Sequence, residues 1–310
     1  MTSRVRVAAV QAEPRWLDLS AGVDQVIALI EAASDQGARL VAFPETFVPG
    51  FPWWMWLPAV QWDADITARY HANSMAADGP ELRAIRYAAR RRRIHVGLGF
   101  SERAAGGAYM SQALIDDEGA MAVSRKALPT ALERTVFGTA VRRPLVRDTA
   151  FGRIGVLGGT DHFLPGVCEA MQEAGEHIHL ASWPGFTVAR GGTETDVPQL
   201  STAACRRYAR ASRSYLIAPT AVVPLSGWQA GDVGRPDVLH GRSGVARILG
   251  PDGLDLATPL APDEEGLLVA DLIVATAADR RPASPGTDRR PASPGTDRRP
   301  ASPGADRALA

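Results

Sequence analysis

The chain reads as an α/β fold formed by one body and a distinct tail. Short β-prone apolar runs alternate with stretches of helical period, and charged residues fall just past several of those runs. From Asp279 onward the hydrophobic period disappears. The 310 residues, 45% of them hydrophobic, are enough to bury a sizeable core.

Val5 to Val10 is short and β-prone, and Leu17 to Gly37 places Val23, Val26, Ile27, Ile30 and Ala33 on one helical face with Gly37 as its stop. Leu40 to Phe43 predicts a second buried strand, followed at once by Pro44-Glu45-Thr46. A carboxylate just past the carboxyl end of a strand is where α/β proteins place working groups. Phe51 to Trp62 concentrates four of the seven tryptophans in a segment interrupted by Pro52 and Pro58, so they cannot all be hidden in one regular helix. Glu81 to Arg93 predicts a helix with Leu82, Ile85 and Ala89 inward, and its closing run of arginines complements the helix dipole.

Strands are expected at Ile94 to Phe100, Ala108 to Leu114 and Met121 to Leu128, the last carrying Lys126 into a loop that starts at Pro129-Thr130. In Phe151 to Pro165 an apolar run climbs to Gly158-Gly159 and turns into Thr160-Asp161-His162. A strand that ends in such an elbow usually presents a nucleophile, but glycine brings no side chain to the turn. A helix from about Pro165 to Gly175, a strand Ile178 to Ala181 and a helix Pro198 to Arg213 follow. Strands at Tyr215 to Ala221, Val245 to Leu249 and Leu267 to Ile273 complete a body spanning 1–278.

Residues 279–310 repeat the unit DRRPASPGT, with a third copy ending in Ala305. Rich in Pro, Ser and Gly, they cannot repay chain entropy and are expected to form a disordered tail. Seven arginines against four aspartates make this tail weakly basic. The whole chain balances 34 basic against 34 acidic residues, which gives no field for a nucleic acid or a membrane surface. Two cysteines, no apolar run of spanning length and no signal-peptide core lead to the expectation of a cytoplasmic protein.

Three charged groups, Glu45, Lys126 and Glu133, fall at strand ends or just after them, where spacing alone leaves open a catalytic set or surface and ion-pair residues. A carboxylate beside an ammonium can act as general base while the lysine stabilises a developing anion. His177 and His179 alternate onto one strand face, but no third ligand is evident, so neither a metal nor any other cofactor is expected. Cys168 lies nine residues past the elbow, about 13 Å along a helix, and reads as a core residue, as does Cys205. Thr160 adjoins the elbow, but its hydroxyl needs a well-aligned base to attack. Trp53, Trp54 and Trp56 either line a pocket or simply pack.

The segments FPETFVPGFPWW, SRKALPTALER, GRIGVLGGTDHFLP, GEHIHLASWPGF and LGPDG with DEEGLLVADL, in this order, closely resemble those of bacterial nitrilases in the carbon–nitrogen hydrolase superfamily. The resemblance covers about residues 4–275. It implies a four-layer αββα sandwich that pairs into a homodimer or a larger homo-oligomer. It also implies a small-molecule substrate processed by a glutamate, a lysine, a cysteine and a second glutamate. Glu45, Lys126 and Glu133 match the charged members. The family cysteine falls on Gly159, and the Trp and Glu that usually follow it are Thr160 and Asp161. Thr160, Asp161, His162, Trp53, Trp54 and Trp183 are the expected pocket residues. Two functions follow as expectations: cysteine-independent hydration, condensation or cyclisation at a nitrile, amide or related C–N centre, or a catalytically inactive homologue that binds a ligand or a subunit.

Overall fold

A computed structural model describes residues 2–56, 64–141, 144–185, 187–190, 193–223, 239–240 and 244–275. The tail expected over 279–310 lies outside the described residues, as does the side chain of Trp56.

Two sheets form the inner layers. The larger has the order β12-β1-β2-β3-β4-β5, with β15 also paired to β1. Its strands are β1 (Thr2–Ala12), β2 (Leu40–Ala42), β3 (His95–Ala104), β4 (Gly107–Ile115), β5 (Met121–Arg125), β12 (Thr220–Ala221) and β15 (Gly266–Ala275). The second sheet runs β14-β11-β8-β7-β6. It comprises β6 (Leu145–Thr149), β7 (Gly152–Gly158), β8 (Ile178–Ser182), β11 (Tyr215–Ala218) and β14 (Arg247–Leu249). A small sheet of β9 (Thr187–Arg190), β10 (Thr193–Asp196) and β13 (Leu239–His240) completes the strands described.

Three apolar clusters stack these layers. Val5, Val7, Ala9 and Leu40 of the larger sheet meet Ile154, Val156, Ile178 and Leu180 of the second between the sheets. On the outer face of the larger sheet, Val10, Val41, Phe43 and Val96 pack on α1 (Leu19–Asp35) and α3 (Pro80–Arg92) through Val26, Ile30, Leu82 and Ile85. The outer face of the second sheet packs Leu157, Ala181 and Leu216 on α4 (Pro165–Glu173) and α5 (Val197–Ser212) through Val167, Met171, Cys205 and Tyr208. The result is the αββα sandwich expected from the sequence. Both sheets are covered on both faces, which is why strands such as Leu40–Ala42 and Ile178–Ser182 are buried throughout. No described helix is long and apolar enough to cross a membrane.

Several features differ from the sequence reading, among them β9, β10 and β13, for which no strand is expected. The stretch 215–221 is two strands: β11 pairs with β8 and β14, and β12 pairs with β1. Pro219 lies between them; it has no N–H to give a ladder, and the chain changes sheet there. The helix α2 (Ala64–Ala72) was not anticipated, because its hydrophobic period is weak. Nor was β6, an edge strand whose Leu145 is buried while Arg147 and Asp148 are exposed.

Candidate active site

Sheet topology brings four distant stretches to one place. Glu45 lies three residues past β2, where its loop presses on β3 at Gly99. A β-carbon at Gly99 would collide with the Pro44 carbonyl, so only glycine permits this approach. The loop is pinned there by the Phe47 N–H donating to the Gly99 carbonyl at 2.8 Å. Lys126 is the first residue past β5, its own N–H bonded to the Met110 carbonyl at 2.7 Å. Glu133 opens a single 3-10 turn, Glu133–Thr135. Here the Thr130 N–H donates to Glu133 Oε2 at 2.6 Å, and the Glu133 N–H donates back to Thr130 Oγ1 at 3.2 Å. This is the reciprocal pattern of a capping box, and the Thr-x-x-Glu spacing that signals it stands in the sequence. Gly159 follows β7 directly and starts the turn Gly159–Phe163.

Lys126 Nζ donates to Glu45 Oε1 at 3.2 Å and to Glu133 Oε1 at 2.9 Å. All three residues are buried, at 6%, 3% and 4% exposure. One ammonium between two carboxylates neutralises one of them, and the second pays a desolvation penalty alone. Burial, with Glu133 adding to it against the pull of Lys126, pushes the Glu45 carboxyl up to about 8. Burial works against the Lys126 ammonium, yet the carboxylates of Glu45 and Glu133 outweigh it and hold its pKa above the ordinary value. Glu45 therefore holds its proton in neutral solution more readily than a solvated carboxylate and is tuned for proton transfer.

A cavity of about 380 Å³ opens beside Glu45 and Glu133, while Lys126 behind them lines only the smaller space described below. Glu45, Glu133, Gly159 and Thr160 line its polar end, and its walls are apolar: Phe51, Met55, Leu132, Phe163, Trp183 and Leu200. The Thr160 hydroxyl has no hydrogen-bond partner among the described residues. Behind the elbow a second space of about 30 Å³ adjoins Glu45, Gln112, Lys126 and Asp161, which is room for about one water. Gln112 was not anticipated; it reaches the site from β4 and accepts from Ser182 Oγ at 3.2 Å.

Of the expected pocket residues, Thr160 and Trp183 line the cavity, and Asp161 borders the smaller space. Trp53 and Trp54 do not line it. They are fully buried in a cluster with Tyr70 and Phe137, the Trp54 and Tyr70 rings meeting edge to face at 5.1 Å. Phe51 and Met55, on either side of them in sequence, face the cavity instead. His162 is buried beneath the elbow, stacked on Trp183.

Neither cysteine lines the cavity. Cys168 is half-buried, with Sγ 3.5 Å from the His162 carbonyl, and burial raises its pKa. Cys205 sits behind Trp183, whose indole N–H donates to its Sγ at 3.2 Å, and burial pushes its thiol up to about 12. His177 and His179 do not form a metal pair: His177 Nδ1 accepts from the Arg153 N–H, and His179 bonds Glu176. Among the described residues there is no group of three or more His, Cys, Asp or Glu able to hold a metal ion.

Comparison with known proteins places this architecture. The family profile described as carbon–nitrogen hydrolase matches residues 6–281. The chain is 42% identical over 276 residues to a nitrilase of Pseudomonas syringae pv. syringae, covering 88% of this chain and 82% of that protein. It is 40% identical over 272 residues to an arylacetone-specific nitrilase of Alcaligenes faecalis, covering 86% and 76%. Among solved structures, an amidase from Nesterenkonia sp. superposes with a TM-score of 0.62 at 24% identity, over 89% of this chain and 93% of that one. That likeness concerns the fold.

Proposed function

The chain belongs to the carbon–nitrogen hydrolase family, and from that premise we propose that it is an enzyme acting on a nitrile, amide or related C–N centre without a cysteine nucleophile. The observation that carries this reading is the buried Lys126 ammonium, bonded to both Glu45 and Glu133, the two carboxylates that line the polar end of an apolar cavity. Glu45, once ionised, takes a proton from a water or from a substrate amine, and the oxygen or nitrogen so activated adds to the substrate carbon. Negative charge develops on the substrate heteroatom, where Lys126 stabilises it as a fixed ammonium. Glu45 then returns its proton to the substrate nitrogen, so that neither Glu45 nor Lys126 changes its net protonation over the cycle. Glu133 holds Lys126 in place. With a nitrile and water this sequence gives the imidic acid, which tautomerises to the amide. With an amide, expulsion of the protonated nitrogen completes hydrolysis.

Two observations support the absence of a thiol. The resemblance puts the family cysteine at Gly159, and the only cysteines in the sequence, Cys168 and Cys205, lie away from the cavity. The apolar walls suit a substrate that carries an alkyl or aryl substituent, in keeping with relatives named as nitrilases.

The test incubates the purified protein with a panel of nitriles and amides, alongside Gly159→Cys and Lys126→Ala. The expected result is turnover by the wild type that Lys126→Ala abolishes, with no covalent adduct in the intact mass. A wild type that turns nothing over, beside a Gly159→Cys protein that hydrolyses nitriles, would show instead a relic pocket on a non-catalytic homologue.

A further inference from the structure

Directly beneath the elbow lies a buried polar chain that the chemistry above does not use. His162 Nδ1 is 2.8 Å from the Gly159 carbonyl, His162 Nε2 is 3.0 Å from His179 Nε2, and His179 Nδ1 is 2.8 Å from Glu176 Oε2. At its far end the Tyr208 hydroxyl donates to Glu176 Oε1. The chain is buried throughout: His162, His179 and Glu176 are 2%, 0% and 7% exposed. It is also held rigidly. His162 stacks on Trp183 with ring centroids 5.0 Å apart, and His179 stacks on Tyr208 at 4.0 Å. Gly155 on β7 leaves the room for the carboxylate, since a β-carbon there would overlap Glu176 Oε2.

Counting protons along this chain leaves two arrangements, which differ in the place of a single proton. The Gly159 carbonyl can only accept, so His162 Nδ1 must carry the hydrogen. Burial, followed by the proximity of His179, pushes the His162 pKa down to about 3, so the ring is neutral and its Nε2 is a lone pair. His179 Nε2 must then donate to it. His179 Nδ1 faces a carboxylate oxygen and needs one further proton between them. That proton sits either on His179, paired with ionised Glu176, or on Glu176 Oε2, and Tyr208 can donate to the other carboxyl oxygen in both cases.

We propose that Glu176, His179 and His162 form a buried imidazolium relay that positions the Gly159 carbonyl, making His162 and His179 positioning residues for the elbow that faces Glu45. Apart from its chain neighbour Asp161, the charged groups that act on His162 include Lys126 and Arg207, both cations, and Arg207 donates to the His162 carbonyl at 3.1 Å. They disfavour a charge on His162, which leaves His179, next to Glu176, as its place. The relay acts on catalysis through the elbow, and that consequence rests on the function proposed above; its proton arrangement does not.

The decisive measurement is nitrogen-15 NMR of the full-length protein with labelled histidine. The wild type should show His179 protonated at both ring nitrogens and His162 neutral with hydrogen on Nδ1. In Glu176→Gln the side-chain amide can donate to His179 Nδ1, so His179 should become neutral with hydrogen on Nε2 while the fold is kept. His162→Phe should shift the Thr160 backbone amide, and His162→Asn, which restores a donor to the Gly159 carbonyl, should reverse most of that shift. With a substrate in hand, His162→Phe should lower kcat about tenfold at little change in KM, and His162→Asn should recover it. A neutral His179 in the wild type, hydrogen on His162 Nε2, or a Thr160 amide indifferent to both substitutions would overturn the relay. Because these signals need no turnover, a protein without activity would sink the proposed reaction and leave the relay to be judged on its own.

Discussion

The carboxylate of Glu45 occupies the ground that a side chain on Gly159 would have to enter: a β-carbon there would lie 2.6 Å from Glu45 Oε2. Gly159 also has φ of +25°, a backbone conformation that L residues seldom adopt. Any larger residue at the elbow must therefore strain the turn and displace the carboxylate. Gly159→Ala is expected to cost about 1 to 3 kcal/mol of stability, measured by urea unfolding. Pairing it with Glu45→Ala, which removes the obstructing carboxylate, should reduce that cost. An unchanged midpoint for Gly159→Ala would mean that Glu45 does not stand where it is described.

Lys126 is the counter-charge that two buried carboxylates share. Replacement by Met leaves both without a counter-charge and should cost about 3 to 5 kcal/mol. The triple variant with Gln at positions 45 and 133 should regain much of it, because no buried charge is then left unpaired. If Lys126→Met unfolds at the wild-type midpoint, the ion-pair geometry is wrong.

The raised Glu45 pKa fixes a sign for pH dependence. Its carboxyl moves from an ordinary value of 4.5 to about 8 in the folded protein, mainly through burial. Between these values the folded state binds more protons at this site than the unfolded state. This contribution to stability is therefore full below the unfolded pKa and is lost as pH rises through about 8, with a slope of up to about 1.4 kcal/mol per pH unit. Denaturation across pH 5 to 8.5 should show this fall in the wild type and a flatter profile in Glu45→Gln. Activity should run the other way, since the base works only when ionised, and kcat/KM should rise towards a midpoint near 8.

Thr130 and Glu133 hold each other through two backbone N–H groups. Thr130→Val removes one acceptor and should cost about 1 kcal/mol, with a fall in kcat as Glu133 loosens its hold on Lys126. Thr130→Ser keeps the oxygen and should restore both values. Equal behaviour of the two variants would show that the turn is fixed by something else.

The sequence by itself determined the alternation of strands and helices, the placing of Glu45 and Lys126 at strand ends, and a glycine at the elbow. These are local properties, written in side-chain period and in turn residues, and they survive folding because each element keeps its own apolar face. The Thr130 and Glu133 pair was equally readable as a capping spacing. What only the tertiary structure decided is which of these groups meet. Lys126 and Glu45 are 81 residues apart and touch because both reach the same end of the larger sheet. The same is true of Phe51 and Met55, which face the cavity while Trp53 and Trp54 turn into the core, although nothing in the local pattern separates them. Glu176 and His179 have a legible spacing of three, but His162 comes from another stretch and joins them only because β7 and β8 pair in parallel and deliver the elbow beside it. Sequence periodicity sets which face of an element is buried; strand pairing sets what that face will touch, and the charge balance of this site depends on the second.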